Sequence, residues 1–523
     1  MLNYSLMNSD QPLNTSLQPA SLSREMLLEA VASWHLPQQD FEAGTSPSVE
    51  HITNDSRKVT SGSLFVAIPG AELDGWQFVP KALTAGAKYI VGEHVLSQEE
   101  KALFEQVDAS YIAVSSAHEA LAALAQALWH YPSKHLRLVG VTGTNGKTST
   151  ATMLHRLFER LGYKSGLIGT VENRIGNEII PATHTTPDPI ALAQLLYRMQ
   201  QAGCSHVFME VSSHALALDR VIGCDFDVAV FTNLSHEHLD LHKTMENYAR
   251  TKELLFTQLG HTVKNGRLKT AVLNIDDEHS KEYRLHTPAE VITYGINDKS
   301  ADFYADNISF DDWKMKFDLH FLGDVYKIET HLVGMFNVYN VLAAICAAFA
   351  KGIGIEESAK ALKSFTGVGG RMEVLHTDKG YKIIIDFAHT PDGLLNVLET
   401  LSKVSHKRII TLIGHSGGNR DSSMRPDLGR IALENSDEVV FTADNPRNES
   451  IAHIVEGLIS DCDKTNYTVI EDRKEAIEHA LKMAGEGDIV LLAGKGVEPY
   501  QVIGNEYLPY SEIDTVREIL GRM

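Results

Sequence analysis

The hydrophobic pattern changes period several times along the chain, and each change marks an element. SLFVAI (63–68) and KYIVG (88–92) predict short buried strands, and HEALAALAQALWHY (118–131) predicts a helix stopped by Pro132. LRLVGVTG (136–143) predicts a strand running into a glycine turn. The helix after it, from Thr148 to about Leu161, places Met153, Leu154, Leu157, Phe158 and Leu161 on one face. HVFMEVS (206–212), FDVAVFTNL (226–234) and TAVLNI (270–275) are apolar runs separated by helical patterns. Strands that are covered on both faces read this way, so a parallel α/β sheet is expected. From about 302 to 328 the texture becomes alternating (FDLHFLGDVYKIE), as in a small antiparallel edge, and a helix over 337–351 closes the section. A third series follows in YKIIIDFA (381–388), RIITLIG (408–414), EVVFTAD (438–444) and DIVLLAG (488–494). Each run ends in a polar or glycine-rich loop, where open α/β sheets place their ligands.

These changes divide the chain into a disordered tail (1–22) and three α/β domains (23–133, 134–368 and 369–523). A length of 523 residues suits about three domains. With 43% hydrophobic and 22% charged residues the composition is globular, which excludes collagen, wholesale disorder and a disulfide-stapled scaffold. The net charge of −21 argues against wrapping nucleic acid or an anionic membrane, since both need basic surfaces. The four cysteines form no C-x-x-C pair and no zinc-ligand spacing, as expected in a reducing compartment. The start of the chain has no signal-peptide pattern, and apolar stretches such as VLAAICAAFA (341–350) fall short of the roughly 20 residues that span a bilayer. A cytoplasmic protein, expected as a monomer, is the reading.

The chemistry begins at VGVTGTNGKTST (139–150), between strand and helix. Gly143 and Gly146 let the backbone turn its N–H groups inward around a phosphate. Lys147 brings a cation to the terminal phosphates, and the Thr148 hydroxyl suits magnesium. The generic G-x-x-x-x-G-K-[ST] pattern fails by one residue, because Val141 stands at its first glycine. Downstream, Glu210 ends one strand, and His238 lies in the His-rich loop NLSHEHLDLH (233–242) after another. Both are candidate magnesium ligands, although magnesium prefers oxygen.

TGTNGKT, MEVSS, NLSxxHLD, YxxxKxxLF and GRMEV together resemble the Mur ligases, ATP-dependent amide-forming enzymes of peptidoglycan synthesis. The resemblance runs from about residue 50 to the C-terminus. DSRKVTSGSLFVAIPG (55–70), HTTPD (184–188), DNPR (444–447) and GKGVEPYQ (494–501) resemble the MurE type, which adds the third residue to UDP-N-acetylmuramoyl-L-alanyl-D-glutamate. The resemblance implies an N-terminal UDP-binding domain, a central phosphate-loop ATPase and a C-terminal Rossmann-like amino-acid domain. It also implies that the substrate carboxylate takes the γ-phosphate of ATP, and that an amine then displaces phosphate from the acyl phosphate.

Carried over by residue, Gly143, Thr144, Asn145, Gly146, Lys147, Thr148 and Ser149 would hold ATP, with Asn337, Arg371 and Asp386 around the nucleotide. Magnesium would rest on Thr148, Glu210, His238 and Lys252, the last of which matches a lysine that the family carries as a carbamate. Lys147, Lys252, His238 and Glu210 form the implied catalytic set. Ser56, Arg57, His184, Thr185, Thr186, Ser212 and Arg220 match the UDP-sugar-peptide side. His184 and Leu218 depart from the usual Asn and Gln. Arg420, Asp444, Asn445, Pro446, Arg447, Gly494 and Glu498 match a diaminopimelate site, with Val497 and Pro499 replacing the usual His and Asp. An arginine that forks onto a distal carboxylate favours meso-diaminopimelate. L-lysine or L-ornithine is the alternative.

Folylpolyglutamate synthetase shares the phosphate loop but lacks the domain before it and the HTTPD–DNPR pair. A non-catalytic relic of the fold would have no need for Lys147, Glu210, His238 and Lys252 together. A kinase or motor would release phosphate without a carboxylate acceptor.

Overall fold

The computed structural model describes residues 18–44, 47–70, 73–260, 262–264, 266–311, 313–418 and 421–522. Most of the expected tail therefore lies outside the described residues. Its last part does not behave as a tail: Ala20 and Leu22 are buried, and Leu22 pairs with Val49. Two apolar side chains, four and two residues ahead of helix Arg24–Ala30, are enough to anchor that segment in the core.

The chain separates into two compact units, 1–137 with 187–205 and 218–225, and 138–186 with 206–217 and 226–523. This division differs from a boundary at 133/134. Helix Pro189–Gln201, opened by Asp188 accepting the N–H groups of Ile190 and Ala191, packs on helix Ala117–Leu128 of the first unit. Ala193 enters the same core as Leu121 and Leu124, and Tyr197 stacks near Trp129. A buried face, not its position in sequence, assigns that helix. The sheet of the first unit is parallel, in the order Ile52–Thr53, Leu64–Val66, Tyr89–Gly92, Ser110–Ala113.

The second unit holds an eleven-stranded and a six-stranded sheet. Arg137–Thr142 lies inside the larger one, between Val228–Phe231 and His206–Glu210. Val139, Val141, Val228, Val230 and Val272 are all fully buried, which explains the unbroken apolar runs. The alternating stretch forms three antiparallel strands, Phe303–Asp311, Lys314–Phe321 and Asp324–Thr330, continuous with this sheet. Helix Lys147–Arg160 and the alanine-rich helix Met335–Ala350 share its core. Removing one such Leu side chain typically costs about 2–5 kcal/mol.

In the six-stranded sheet, Lys382–Asp386, Ile489–Ala493, Ile409–Ile413 and Glu438–Phe441 run parallel as consecutive neighbours. Their carboxyl ends carry the loops beginning at residues 387, 494, 414 and 442. The fold is thus the expected α/β class.

Candidate active site

The phosphate loop is held open by its glycines. Gly143 has φ +147°, and a Cβ there would sit 1.9 Å from Thr232 Oγ1. Gly146 has φ +86°, and a Cβ there would meet Asn340 Oδ1 at 2.3 Å. Asn145 N–H donates to Asn233 Oδ1 (2.9 Å), and the Thr144 N–H to Asn233 O (2.8 Å). Lys147 Nζ curls back onto the Gly143 and Thr144 carbonyls at 2.8 and 2.7 Å. Burial lowers its pKa, while the Glu237 and Glu210 carboxylates oppose that shift.

Glu210, 2% exposed, gathers oxygen atoms. Thr148 Oγ1 donates to its Oε2 at 2.9 Å, Thr170 Oγ1 to the same oxygen at 3.0 Å, and Thr170 N–H to Oε1 at 2.8 Å. Thr185 Oγ1 lies 3.0 Å from Thr170 Oγ1, and Thr186 Oγ1 donates to the Glu210 carbonyl at 2.7 Å. Ser212 joins through Thr186 Oγ1, which its backbone N–H reaches at 3.1 Å. His184 stays outside this group, exposed beside Thr183.

Lys252 is 1% exposed. Its Nζ donates to the Gly143 carbonyl at 2.9 Å and lies 4.5 Å from the Tyr248 ring centre. Burial, with the Lys147 ammonium adding to it, holds its pKa well below the ordinary lysine range. His238 takes a left-handed backbone (φ +58°) at the start of Leu239–His242. Burial pushes its pKa down to about 4, although neighbouring Glu237 acts the other way. Among the described residues, no three His, Cys, Asp or Glu side chains converge as a ready-made metal cage.

Groups from the six-stranded sheet's side reach the same loop. Arg371 Nη2 lies 3.4 Å from Thr148 Oγ1, with the guanidinium stacked on Phe387. Asp386, with its pKa raised by burial, accepts the N–H groups of Met372 and Ala388 and so shapes the strand end. His389 Nε2 meets Glu237 Oε1 at 3.5 Å, and Asp392 Oδ2 accepts from Asn145 Nδ2 (3.1 Å) and Ser235 Oγ (3.3 Å). Asn337 is turned into its own helix, donating to Val333 O, whereas Asn340 faces the phosphate loop. Sequence reasoning passed over Asn340, Glu237, His389 and Asp392; the NLSHEHLD and AHTPD strings were the available signal for the last three, and none marked Asn340.

A second cluster occupies the 444–447 and 494–498 loops. Lys495 Nζ, with its side chain 0% exposed, contacts Glu498 Oε2 (2.6 Å), Asn445 Oδ1 (2.8 Å) and Asp444 Oδ1 (3.6 Å). Asn445 Nδ2 also donates to Glu498 Oε2. Asp444 Oδ2 accepts from Ser416 Oγ at 2.9 Å, and Lys495 and Arg473 help offset the burial that would raise its pKa. Among the described residues, Asp444 Oδ1 and Arg447 Nε are buried without a hydrogen-bond partner. Arg447 sits at φ +53°, with its backbone tied to Val502 and Gly504. Pro446 is buried beside it, and Gly494 N–H donates to Asp386 O. Arg420 lies outside the described residues. Lys495 was missed because the flanking glycines drew the reading.

Ser56, Arg57 and Arg220 belong to the first unit. Arg57 is exposed and forks onto Asp55 (2.9 Å to each oxygen), and Ser56 is half-buried next to it. Arg220 is half-buried, and burial lowers its pKa against the pull of Asp188.

Comparison with known proteins adds sequence-wide evidence. Residues 48–129 match the model of the Mur ligase family catalytic domain, 141–348 the Mur ligase middle domain, and 370–496 the Mur ligase glutamate ligase domain. A UDP-N-acetylmuramoyl-L-alanyl-D-glutamate–2,6-diaminopimelate ligase from Listeria monocytogenes serotype 4b is 43% identical, over 91% of this chain and 95% of its own length. A solved structure of a ligase of that name superposes with a TM-score of 0.66 at 28% identity, covering 96% of this chain and 99% of the other. A MurF ligase from Thermotoga maritima in complex with ADP shares the fold, with a TM-score of 0.58 at 19% identity over 90% and 97% of the two chains.

Proposed function

The chain belongs to the Mur ligase family, and from that premise we propose that it joins meso-diaminopimelate to UDP-N-acetylmuramoyl-L-alanyl-D-glutamate at the expense of ATP. The observation that carries the amino acid is the pair of buried atoms left over in the 444–447 loop. Asp444 Oδ1, 3.6 Å from Lys495 Nζ, still lacks a hydrogen-bond donor, which an ammonium can supply, and a guanidinium N–H on Arg447 asks for a carboxylate. A diamino diacid presents both at its distal end, and the relatives described above are named for adding one.

The γ-carboxylate of the D-glutamyl residue attacks the γ-phosphorus, and the bond to the β-phosphate oxygen breaks to give an acyl phosphate and ADP. The amine then attacks the acyl carbon, loses a proton and expels phosphate. Lys147 and the N–H groups of the phosphate loop balance the charge that spreads over the transferred phosphoryl group. The 2.9 Å Thr148–Glu210 contact joins two hard oxygen donors, which fits magnesium. Those residues would hold the ion together with His238, kept neutral by burial, and with Lys252 as a carbamate. Bound magnesium supplies charge neutralisation on the phosphate oxygens. The same burial pushes the Lys252 pKa down and so favours the amine form that adds to carbon dioxide, forming an N–C bond with loss of a proton. Asn340 orients the loop at Gly146. Ser56, Arg57, Thr185, Thr186, Ser212 and Arg220 bind the UDP-sugar peptide.

The setting is the cytoplasm, with the chain acting as a monomer. Among the described residues no helix is long and apolar enough to cross a membrane, and the four cysteines are free thiols.

The test is phosphate release from ATP and magnesium with the UDP-sugar dipeptide, in parallel with meso-diaminopimelate, L-lysine, L-ornithine or no amino acid. Turnover with diaminopimelate is expected. Turnover only with lysine or ornithine overturns the amino-acid assignment, and no turnover with any of them overturns the ligase.

A further inference from the structure

Phe387 follows Asp386 at the end of its strand, and the reaction as described gives it no task, yet two other loops close on it. Its N–H donates to Gly370 O at 2.9 Å, which ties it to the turn that carries Arg371. The carbon of the Arg371 guanidinium stands 4.5 Å from the centre of its ring. The other loop is 494–498. Gly496 has φ +53°, and a Cβ there would fall 2.9 Å from Phe387 Cβ and 3.0 Å from its Cδ2. Gly370 has φ +63°, and a Cβ there would fall 2.7 Å from Val497 N. The two loops thus approach each other and Phe387 with no room for a further side chain. Packing this close passes a shift of one loop on to its neighbours.

Arg371 is the group that such a shift would move. Its Nη2 lies 3.4 Å from Thr148 Oγ1, at the phosphate loop. Among the described residues its guanidinium forms no ion pair with a carboxylate. A carboxylate partner would hold the guanidinium but occupy the N–H groups that a phosphate needs. An aromatic face attracts the same cation through its ring electrons and leaves those N–H groups available. Phe387 itself is steadied from its own loop: its carbonyl lies 2.8 Å from His389 Nδ1, and the two rings meet edge to face at 4.8 Å.

We infer that Phe387 is a positioning residue for Arg371, and that it ties the setting of the guanidinium at the phosphate loop to the 494–498 loop through Gly496. The ring sets where the cation stands, and the Gly496 backbone sets where the ring stands. The inference rests on the ATP-dependent ligase reading above, in which Arg371 meets the nucleotide phosphates.

The experiment is a double-mutant cycle on the full-length chain, read as the Kd of a non-hydrolysable ATP analogue with magnesium by titration calorimetry. This readout does not depend on turnover. Phe387→Leu, which keeps bulk but removes the ring, should weaken the analogue at least about threefold, the range of a cation–π contact. Phe387→Tyr, which keeps the ring, should stay within about twofold of wild type. In an Arg371→Ala background, Phe387→Leu should cost nothing further, because a residue that acts through Arg371 has nothing left to position. Gly496→Ala, which presses on Phe387 without itself reaching the phosphate loop, should also weaken the analogue at least about threefold, and again only while Arg371 is present. Equal fractional losses from Phe387→Leu with and without Arg371 overturn the inference and leave Phe387 a packing residue. A Phe387→Tyr loss as large as that of Phe387→Leu overturns the role of the ring, and an unaltered Kd in Gly496→Ala overturns the tie to the 494–498 loop. If Phe387→Leu does not fold, Phe387→Met takes its place in the same cycle. A wild type with no measurable affinity for the analogue overturns the ATP-dependent reading, and this inference with it.

Discussion

At the scale of single residues, function turns on charges placed where water is scarce. Lys252 is the sharpest case: a buried lysine 2.9 Å from a phosphate-loop carbonyl, with its pKa pushed well below the ordinary lysine range by burial. Lys252→Ala should abolish phosphate release, with partial recovery on adding a short carboxylate such as acetate that can take the place of the carbamate. Undiminished turnover in the variant would remove Lys252 from the chemistry. Arg447 carries a narrower load. Arg447→Ala should weaken diaminopimelate by about 1.5–3 kcal/mol, the worth of a charged hydrogen bond, and should leave the KM for ATP alone. Isothermal titration with diaminopimelate in the presence of a non-hydrolysable ATP analogue checks this, and an unaltered Kd would unseat the assignment. Many of these residues were legible from type and spacing, since lysine after glycine at a helix start has few other uses. Lys495 and Asn340 were not, because their meaning lies in burial and in partners that only folding brings close.

At the scale of elements, the phosphate-loop helix Lys147–Arg160 carries its own liability. His155, fully buried, shares a 2.8 Å hydrogen bond with Ser165 Oγ. Burial, helped by Arg156 and Arg174, pushes its pKa down to about 3. An unfolded histidine titrates near 6.5, so between those values the unfolded chain binds a proton that the folded one refuses. Stability from this group is complete above about pH 6.5 and is lost as the pH falls toward 3. Urea unfolding at pH 7.5 and 4.5 should show a drop that is smaller by roughly 2–3 kcal/mol in His155→Gln than in wild type. Equal drops would exonerate His155. The strands around this helix were readable because two-sided burial writes itself as apolar runs. The hairpin Glu172–Ile175 and Glu178–Pro181 was not, since its strands are short and its outer one mostly exposed. Helix Pro189–Gln201 was not singled out from the sequence, and periodicity would not say which core receives it.

At the scale of the second unit, the two large sheets are stitched together at the phosphate loop. Arg371, His389 and Asp392 supply the stitches, and Asp392 alone holds both Asn145 and Ser235. Asp392→Ala should leave each sheet intact while freeing the seam. In hydrogen exchange, amides of residues 143–147 and 389–396 should lose protection while those of 409–413 keep theirs. Uniform exchange across all three segments would place the stitching elsewhere. None of this seam is written locally, because each stitch joins positions more than a hundred residues apart in the chain.

The interior place of Arg137–Thr142 in the eleven-stranded sheet has a consequence in time. A chain is made from its N-terminus, and the strand that leads into the phosphate loop is the first of that sheet to be synthesised. Its two neighbours, His206–Glu210 and Val228–Phe231, come later. While the ribosome adds the intervening residues, at about 5–20 per second, the loop has its helix but no sheet to stand on. The nucleotide site is therefore encoded early and assembled late, and a nascent chain stopped before residue 206 carries its phosphate-binding motif without the means to use it.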